Sequence, residues 1–172
     1  MSETPAAPER KDDRIQRDAI VLRPATDDDY DFQRLLYHST REEEMKHFPF
    51  NEEQKVAFLD QQFAAQTSHY KTHYPACEWN IIEVGGERAG RILLDEWSEE
   101  LRVVDIALMP RWRGSGIGGM LMREATERAA AAGKAATIHV EIYNPARRLY
   151  ERLGFQYAES SGVYLLMRWT GQ

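Results

Sequence analysis

A glycine-dense segment at residues 114–119, which reads GSGIGG, sets the strongest limit on the local structure that this chain can adopt. It follows a stretch with strand character at residues 102–109 and precedes a stretch with helical spacing. In that second stretch, apolar or small residues recur at every fourth position, at Ile117, Leu121, Ala125 and Ala129. A strand that enters a helix through glycines leaves unpaired N–H groups at the positive end of the helix dipole, with no Cβ atoms in the way. The segment therefore predicts a binding site for a phosphate or diphosphate, and Arg113 adds a positive charge beside it.

The same segment also fits a second pattern. Gly114, Gly116 and Gly119 spell the G-x-G-x-x-G fingerprint of dinucleotide-binding domains. Glu141 ends the next predicted strand, where those domains carry an acid that binds ribose. However, only about 30 residues follow Glu141, too few for the rest of a doubly wound sheet. Three predicted strands also precede the segment, whereas a dinucleotide domain usually begins with it. A dinucleotide-dependent enzyme is therefore kept as an alternative.

The order of the predicted elements indicates a mixed sheet. Strands are predicted at residues 20–23, 79–84, 88–94, 102–109, 136–142, 155–157 and 163–169. Helices are predicted behind Thr26, from Asn51 to before Pro75, after the glycine segment, and behind Asn144. One helical crossover joins the strands at residues 102–109 and 136–142. The order predicts an α/β or mixed α+β fold without internal repeats.

Length and charge exclude several classes of protein. The 172 residues fit one domain, which we expect at residues 15–172 behind a disordered tail at residues 1–14. The net charge of −6 lacks the basic excess of a general nucleic-acid binder. No apolar run approaches the roughly 18 residues that a membrane span requires. We therefore expect neither a nucleic-acid partner nor a membrane partner.

The cysteine and histidine pattern predicts neither a disulfide nor a metal site. Cys77 is the single cysteine, so an internal disulfide is excluded and the reducing cytoplasm is the simplest location. His69, His73 and Cys77 are spaced like one edge of a zinc site. Pro75 breaks the helix between them, and no second pair of ligands is present. We expect surface side chains there and no bound metal.

Two segments resemble signatures of the GNAT superfamily of N-acetyltransferases. Residues 110–118, PRWRGSGIG, resemble its acetyl-CoA signature, [Q/R]-x-x-G-x-[G/A]. The fixed positions of that signature are filled by Arg113, Gly116 and Gly118. Residues 144–155, NPARRLYERLGF, resemble N-x-x-A-x-x-L-Y-x-x-L-G-F, with one residue fewer between the asparagine and the tyrosine. The resemblance covers about residues 20–169, almost the whole of the predicted ordered chain.

The resemblance implies a fold and a cosubstrate. The fold is a seven-stranded mixed sheet, mostly antiparallel and flanked by about four helices. Its fourth and fifth strands splay apart like a V, and acetyl-CoA lies in the opening. The resemblance assigns cofactor binding to Leu108, Met109, Arg113, Gly114, Ser115, Gly116, Ile117, Gly118 and Asn144. Leu108 and Met109 are expected to pair with the pantetheine, and residues 113–118 are expected to bind the diphosphate. The acceptor is expected to enter under the loop at residues 45–50.

The resemblance also implies candidate catalytic residues. Tyr150 matches the family tyrosine that protonates the departing thiolate. His139, Glu141 and Asp105 are the candidates for the base that deprotonates the amine, and a mechanism without a single base is also open. Strand alternation places His139 and Glu141 on one face, with Ile138 and Val140 on the other. The same rule places Asp105 on a face with Val103 and Ala107.

The resulting hypothesis is an acetyl-CoA-dependent N-acetyltransferase that acts by direct transfer. Its acceptor is expected to be the primary amine of a small molecule or of a peptide N-terminus. A non-catalytic module that senses acyl-CoA is an alternative from a different class, as is the dinucleotide-dependent enzyme. A homodimer is one option for the oligomeric state.

Overall fold

The computed structural model describes residues 14–171, so the predicted tail at residues 1–14 lies outside the described residues except for Arg14. The strands are β1 (Ile20–Pro24), β2 (Glu78–Val84), β3 (Glu87–Glu96), β4 (Glu100–Leu108), β5 (Ala135–Glu141), β6 (Gln156–Ser161) and β7 (Tyr164–Trp169). The helices are α1 (Tyr30–Met45), α2 (Glu52–His73), α3 (Ile117–Ala131) and α4 (Arg147–Arg152). Their order is the predicted one. Within the described range, none of the helices has the length and apolar character needed to cross a membrane.

The seven strands form one sheet in the order β1-β2-β3-β4-β5-β7-β6. Neighbouring strands are antiparallel except β4 and β5, which are parallel and joined by α3. The predicted mixed, mostly antiparallel seven-stranded sheet with four helices is thereby confirmed. Helices α1 and α2 cover one face of the sheet, where Arg91 of β3 donates hydrogen bonds to Gln33 and Gln66. Helices α3 and α4 pack on the other face, which holds the larger apolar core.

The parallel pair β4 and β5 separates along its length. The paired residues run from Glu100 opposite Ala135 to Val103 opposite Ile138. Beyond that point β4 continues to Leu108 and β5 to Glu141 without pairing to each other. The predicted splay between the fourth and fifth strands is confirmed, and it opens a gap toward the carboxyl ends of both strands.

A β-bulge in β4 changes the predicted arrangement of its side chains. Leu93 of β3 lies opposite Asp105, whereas the next residue, Leu94, lies opposite Val103, so Val104 is an extra residue. Such an insertion reverses the alternation of faces beyond it. Val103 belongs to the core on the α3 side, and Asp105 bonds to Arg91 on the side of α1 and α2. The prediction that Asp105 shares a face with Val103 was therefore wrong, because simple alternation does not include the bulge.

Candidate active site

The glycine segment forms a cradle of free backbone donors. Gly114 and Gly116 have φ angles of +72° and +90°, which glycine adopts at little cost. In the described part of the chain, the six N–H groups from Gly114 to Gly119 have no hydrogen-bond partner. Met120 is the first residue after them to donate, to the carbonyl of Gly116 at 3.1 Å. A Cβ atom on Gly114 or Gly116 would meet nothing within 4 Å, so the cradle opens onto unfilled space.

Arg113 links the cradle to β4 and α1. Its Nε donates to the carbonyl of Leu108 at 3.0 Å, and its Nη2 donates to the hydroxyl of Ser39 at 3.1 Å. Its backbone N–H is engaged by the carbonyl of Pro110 at 3.2 Å. The run of free N–H groups therefore begins one residue later than the predicted set. The hydroxyl of Ser115 donates to the carbonyl of Trp112 at 2.5 Å, which holds the turn in shape.

The edge of β4 offers further backbone groups to the gap. The N–H of Met109 donates to the carbonyl of Ala89 at 2.8 Å, and the Met109 carbonyl accepts from Trp112 at 2.9 Å, so Met109 is engaged within the chain. Hydrogen-bonded pairs alternate along an antiparallel ladder, so Ile106 and Leu108 direct their backbone groups away from β3 and toward the gap, where the Leu108 carbonyl already accepts from Arg113. Sequence reasoning named Leu108 and missed Ile106. The pairing alternation beyond the bulge is the signal that identifies it.

Tyr150 of α4 lies close to the cradle and the gap. Its neighbour Leu149 approaches α3 so closely that a Cβ on Gly119 would lie 3.5 Å from the Leu149 Cδ1. The Tyr150 side chain is 4% exposed and packs against Phe155, with ring centroids 6.1 Å apart. Among the described residues its hydroxyl has no hydrogen-bond partner. Burial and the nearby charge of Asp105 both raise the pKa of Tyr150, so the phenol holds its proton at neutral pH.

Asp105 is backed by a fully engaged arginine. The Nε of Arg91 donates to Asp105 Oδ2 at 2.8 Å, and the other two nitrogens of Arg91 donate to Gln33 at 3.1 Å and Gln66 at 2.9 Å. Arg91 is buried, whereas the Asp105 side chain keeps 24% of its exposure. Asp105 Oδ1 has no hydrogen bond within the described range. The carboxylate is thus fixed through one oxygen and free at the other.

The other two candidate bases are engaged with arginines. His139 Nδ1 lies 3.1 Å from Arg102 Nη1, and since arginine only donates, this nitrogen accepts and the proton of the neutral ring sits on Nε2. Burial and the charge of Arg102 lower the pKa of His139. Glu141 accepts from Arg41 Nη1 at 2.9 Å. His139 and Glu141 lie on the face predicted for them, because Ile138 and Val140 belong to the core on the other face.

A cleft of about 530 Å³ lies on the face of the sheet that α1 and α2 cover. Its lining combines aromatic, apolar and charged side chains: Tyr37, Arg41, Glu44, Met45, Phe58, Leu59, Gln62, Glu141, Tyr143, Val163 and Tyr164. Arg41 bonds to both acids of the cleft, Glu44 at 3.2 Å and Glu141 at 2.9 Å. The predicted entrance loop borders the cleft, because Phe48 and Phe50 pack against Phe58 with ring centroids 5.9 and 5.6 Å away.

Asn144 has a local structural contact. Its Oδ1 accepts from the N–H of Ala146 at 2.9 Å, and its own N–H donates to the carbonyl of Glu141 at 3.0 Å. Asparagine commonly closes a turn in this way. These two bonds carry the chain from the end of β5 into α4 and so set the position of Tyr150.

Comparison with known proteins gives consistent matches. The model of the acetyltransferase (GNAT) family matches residues 34–155. Streptothricin acetyltransferase from Streptomyces lavendulae is 36% identical over 84 residues, which are 45% of this chain and 44% of that protein. The chain therefore matches less than half the length of this relative.

Solved structures resemble the fold over most of the chain. The PaiA N-acetyltransferase of Thermoplasma acidophilum, in complex with coenzyme A, superposes with a TM-score of 0.65 at 15% identity, covering 87% of this chain and 97% of that one. Spermidine N-acetyltransferase from Vibrio cholerae, in complex with CoA and spermine, gives a TM-score of 0.58 at 19% identity and covers 88% and 94%. At these identities the likeness concerns the fold.

Proposed function

We propose, for a chain that belongs to the acetyltransferase (GNAT) family, that it transfers the acetyl group of acetyl-CoA to a primary amine. The family match covers residues 34–155, which include the cradle, the gap and Tyr150. The observation that carries the proposal is the run of six free N–H groups beside the gap between β4 and β5. The free N–H groups suit the diphosphate of a long, charged thioester, and the gap suits the arm that carries its acyl group.

The residues present fit acetyl-CoA. Its diphosphate needs several donors at short range, and the amides of residues 114–119 supply them at the positive end of the α3 dipole. Its pantetheine carries amide groups, and we propose that they pair with the backbone of Ile106 and Leu108 as an added strand would. Acetyl-CoA supplies an activated acetyl group as a thioester. We propose Arg113, Ser115 and Asn144 as residues that hold this site in shape.

The acceptor amine must lose a proton before it can attack. An alkylammonium with a pKa of about 10 costs roughly 4 kcal/mol to deprotonate at neutral pH. We propose that Asp105 receives this proton, directly or through one water, because its Oδ1 is free and it lies just beyond the point where β4 and β5 part. A lowered pKa makes His139 the weaker proton acceptor, and Glu141 lies in the lining of the cleft where it binds Arg41, so we give both supporting roles.

Tyr150 supplies the second proton. Its hydroxyl holds the proton firmly, because burial and Asp105 both disfavour the phenolate. The negative charge that develops on the leaving sulfur is better placed to remove this proton than the ground-state thioester is. In this proposal Tyr150 donates its proton only as the sulfur departs, which keeps the neutral phenol as the resting form.

The cleft on the side of α1 and α2 is proposed to bind the acceptor. The named relatives act on streptothricin and spermidine, which carry amino groups. The net charge of −6 also favours a cationic acceptor over an anionic one. Small-molecule amines and peptide N-termini are both retained as acceptors.

Thiol release tests the proposal. Acetyl-CoA is mixed with streptothricin, spermidine, lysine or a peptide with a free N-terminus, and free coenzyme A is measured together with the acetylated product. We expect enzyme-dependent release with at least one of these amines, and a higher melting temperature with acetyl-CoA but not with NAD. Tight binding of acetyl-CoA without turnover of any amine indicates a sensor module instead.

A further inference from the structure

We infer that Tyr70 is an acceptor-binding residue whose hydroxyl, together with the free Oδ1 of Asp105, holds the acceptor's amine where β4 separates from β5. The inference rests on the proposed function, because it names the residues that bind the acceptor amine of that reaction. Sequence analysis did not identify Tyr70, which lies on a long helix without any motif.

Tyr70 lies on the stripe of α2 that faces the sheet. Phe63 and Gln66 belong to the same stripe and both contact Arg91: the Phe63 ring lies 5.9 Å from its guanidinium, and Gln66 accepts from Nη2 at 2.9 Å. Tyr70 follows Gln66 by one helical turn, so it projects from the same face of the helix. Its ring meets that of Trp79 edge-on, with centroids 6.2 Å apart.

The register of the sheet places Asp105 in the same cross-strand row. Trp79 of β2 lies opposite Leu93 of β3, and Leu93 lies opposite Asp105 of β4. Residues directly opposite each other in a sheet share a face, so Trp79 and Asp105 both face α2. Tyr70 therefore packs over the Trp79 end of the row that contains Asp105. In agreement with this placement, burial and the charge of Asp105 both raise the pKa of Tyr70.

The Tyr70 hydroxyl makes no structural contribution that is visible within the described part of the chain. No hydrogen-bond partner is found for it there, and a phenylalanine would make the same ring contacts without an unpaired polar group. The half-buried Tyr70 side chain keeps part of its hydroxyl surface accessible. An accessible hydroxyl without a partner, on the helix face that packs on the sheet, is suited to a ligand.

Two groups with free hydrogen-bonding capacity thus lie on the face of the sheet that α2 covers, and Asp105 stands where β4 separates from β5. Asp105 Oδ2 is held by Arg91, which leaves Oδ1 for a cation, and the Tyr70 oxygen supplies a second acceptor for the N–H groups of the same cation. After burial, the charge of Asp105 also raises the pKa of Tyr150, in agreement with an amine that binds within reach of the proposed proton donor. Burial is the main cause of the raised pKa of Tyr70, and Tyr164, which lines the cleft, contributes to it as well. The rest of the acceptor can therefore extend from this seat into the cleft. The arrangement selects a primary ammonium group over a neutral alcohol.

Tyr70→Phe tests the inference, with Tyr74→Phe as the matched control. Tyr74 directly follows the last residue of α2 and stacks on Trp97, with ring centroids 6.0 Å apart and an interplanar angle of 6°. Steady-state thiol release is measured with whichever of streptothricin, spermidine, lysine or the peptide is acetylated fastest, and acetyl-CoA binding is measured by calorimetry. Loss of a hydrogen bond to a charged group predicts a KM for the amine raised by about 10-fold or more for Tyr70→Phe. Its Kd for acetyl-CoA should stay within about twofold of the wild type, and Tyr74→Phe should change neither constant by more than that.

A second variant and the melting temperature keep the test decisive. Asp105→Asn, with the volume of the side chain kept, should lower kcat/KM for the amine by about 100-fold or more while acetyl-CoA still binds. A wild-type KM in Tyr70→Phe, with the same melting temperature, refutes the inference and leaves the proposed function standing. Weaker acetyl-CoA binding in Tyr70→Phe also refutes it, because the residue would then belong to the cofactor side. If the wild-type protein binds acetyl-CoA and acetylates none of the four amines, the proposed function fails and the inference fails with it.

Discussion

Replacement of Gly116 by alanine examines the cradle directly. Gly116 precedes α3, has a φ of +90° and faces unfilled space, since a Cβ there would meet nothing within 4 Å. The substitution therefore has two separable effects. The left-handed backbone becomes strained in the folded protein, and a methyl group enters the volume in front of the free N–H groups.

The two effects differ in size and in the measurement that detects them. Strain of a non-glycine residue in the left-handed region costs about 1–2 kcal/mol, which lowers the melting temperature by about 2–8 °C in a chain of this length. A methyl group that displaces one or two charge-assisted N–H···O bonds removes about 1.5–3 kcal/mol for each. The Kd for acetyl-CoA should then rise about 10-fold for one lost bond and 100-fold or more for two.

Gly86→Ala is the matched control for strain. Gly86 has a φ of +84°, also faces open space, and lies in the turn between β2 and β3 rather than in the cradle. Calorimetric titration with acetyl-CoA and thermal unfolding are measured for both variants. We expect similar losses of melting temperature and a raised Kd in Gly116→Ala alone. Equal acetyl-CoA affinity in the two variants would refute the assignment of residues 114–119 as the diphosphate site.

Three further predictions concern other parts of the molecule. Tyr150→Phe should lower kcat by about 100-fold or more with little change in acetyl-CoA affinity. An unchanged rate constant of thiol release in a single-turnover experiment would remove Tyr150 from the mechanism. Gly90→Ala should destabilise the sheet by at least about 1–3 kcal/mol in urea unfolding, because its Cβ would lie 2.1 Å from the carbonyl oxygen of Ala107; wild-type stability would contradict this packing. Hydrogen bonds from Arg23 hold the pKa of Asp29 well below its usual value, so Asp29 stabilises the fold above the unfolded-state pKa of about 4, and this contribution is lost as the pH falls toward the folded-state pKa. Asp29→Asn should therefore lower stability at pH 7 and show a smaller deficit below pH 4, and a deficit that grew on acidification would contradict it.

Much of the fold was predictable because its determinants are local. The cap of α2 is one example: Asn51 Oδ1 accepts from the N–H of Gln54 at 2.8 Å, as the residue type and position indicate. The turn at residues 114–119 is another, since glycines between a strand and a helix have few other uses. Such features depend on neighbouring residues in the chain, so the sequence displays them directly.

The remaining parts of the site depend on contacts between distant segments. Arg102 of β4 reaches His139 of β5, and Arg91 of β3 reaches Asp105 of the neighbouring strand β4. A candidate base looks the same in the sequence whether or not an arginine binds it in the folded protein. Tyr70 was missed for the same reason, because its value depends on the row of the sheet that α2 happens to cover.

The bulge at Val104 connects these long-range features. Pairing between β4 and β5 stops at Val103, immediately before the extra residue, so the backbone of Ile106 and Leu108 beyond it has no strand partner on that side. The same extra residue turns Asp105 toward α1 and α2 instead of the α3 core. One irregularity in one strand therefore leaves an edge of β4 unpaired and directs a carboxylate to the face that holds the proposed acceptor cleft. In the proposed reaction, an acetyl donor lies along the edge of β4 and an amine lies on the face that α1 and α2 cover. The two would then meet at the two or three residues of β4 that follow the bulge, which is the geometry that direct transfer requires.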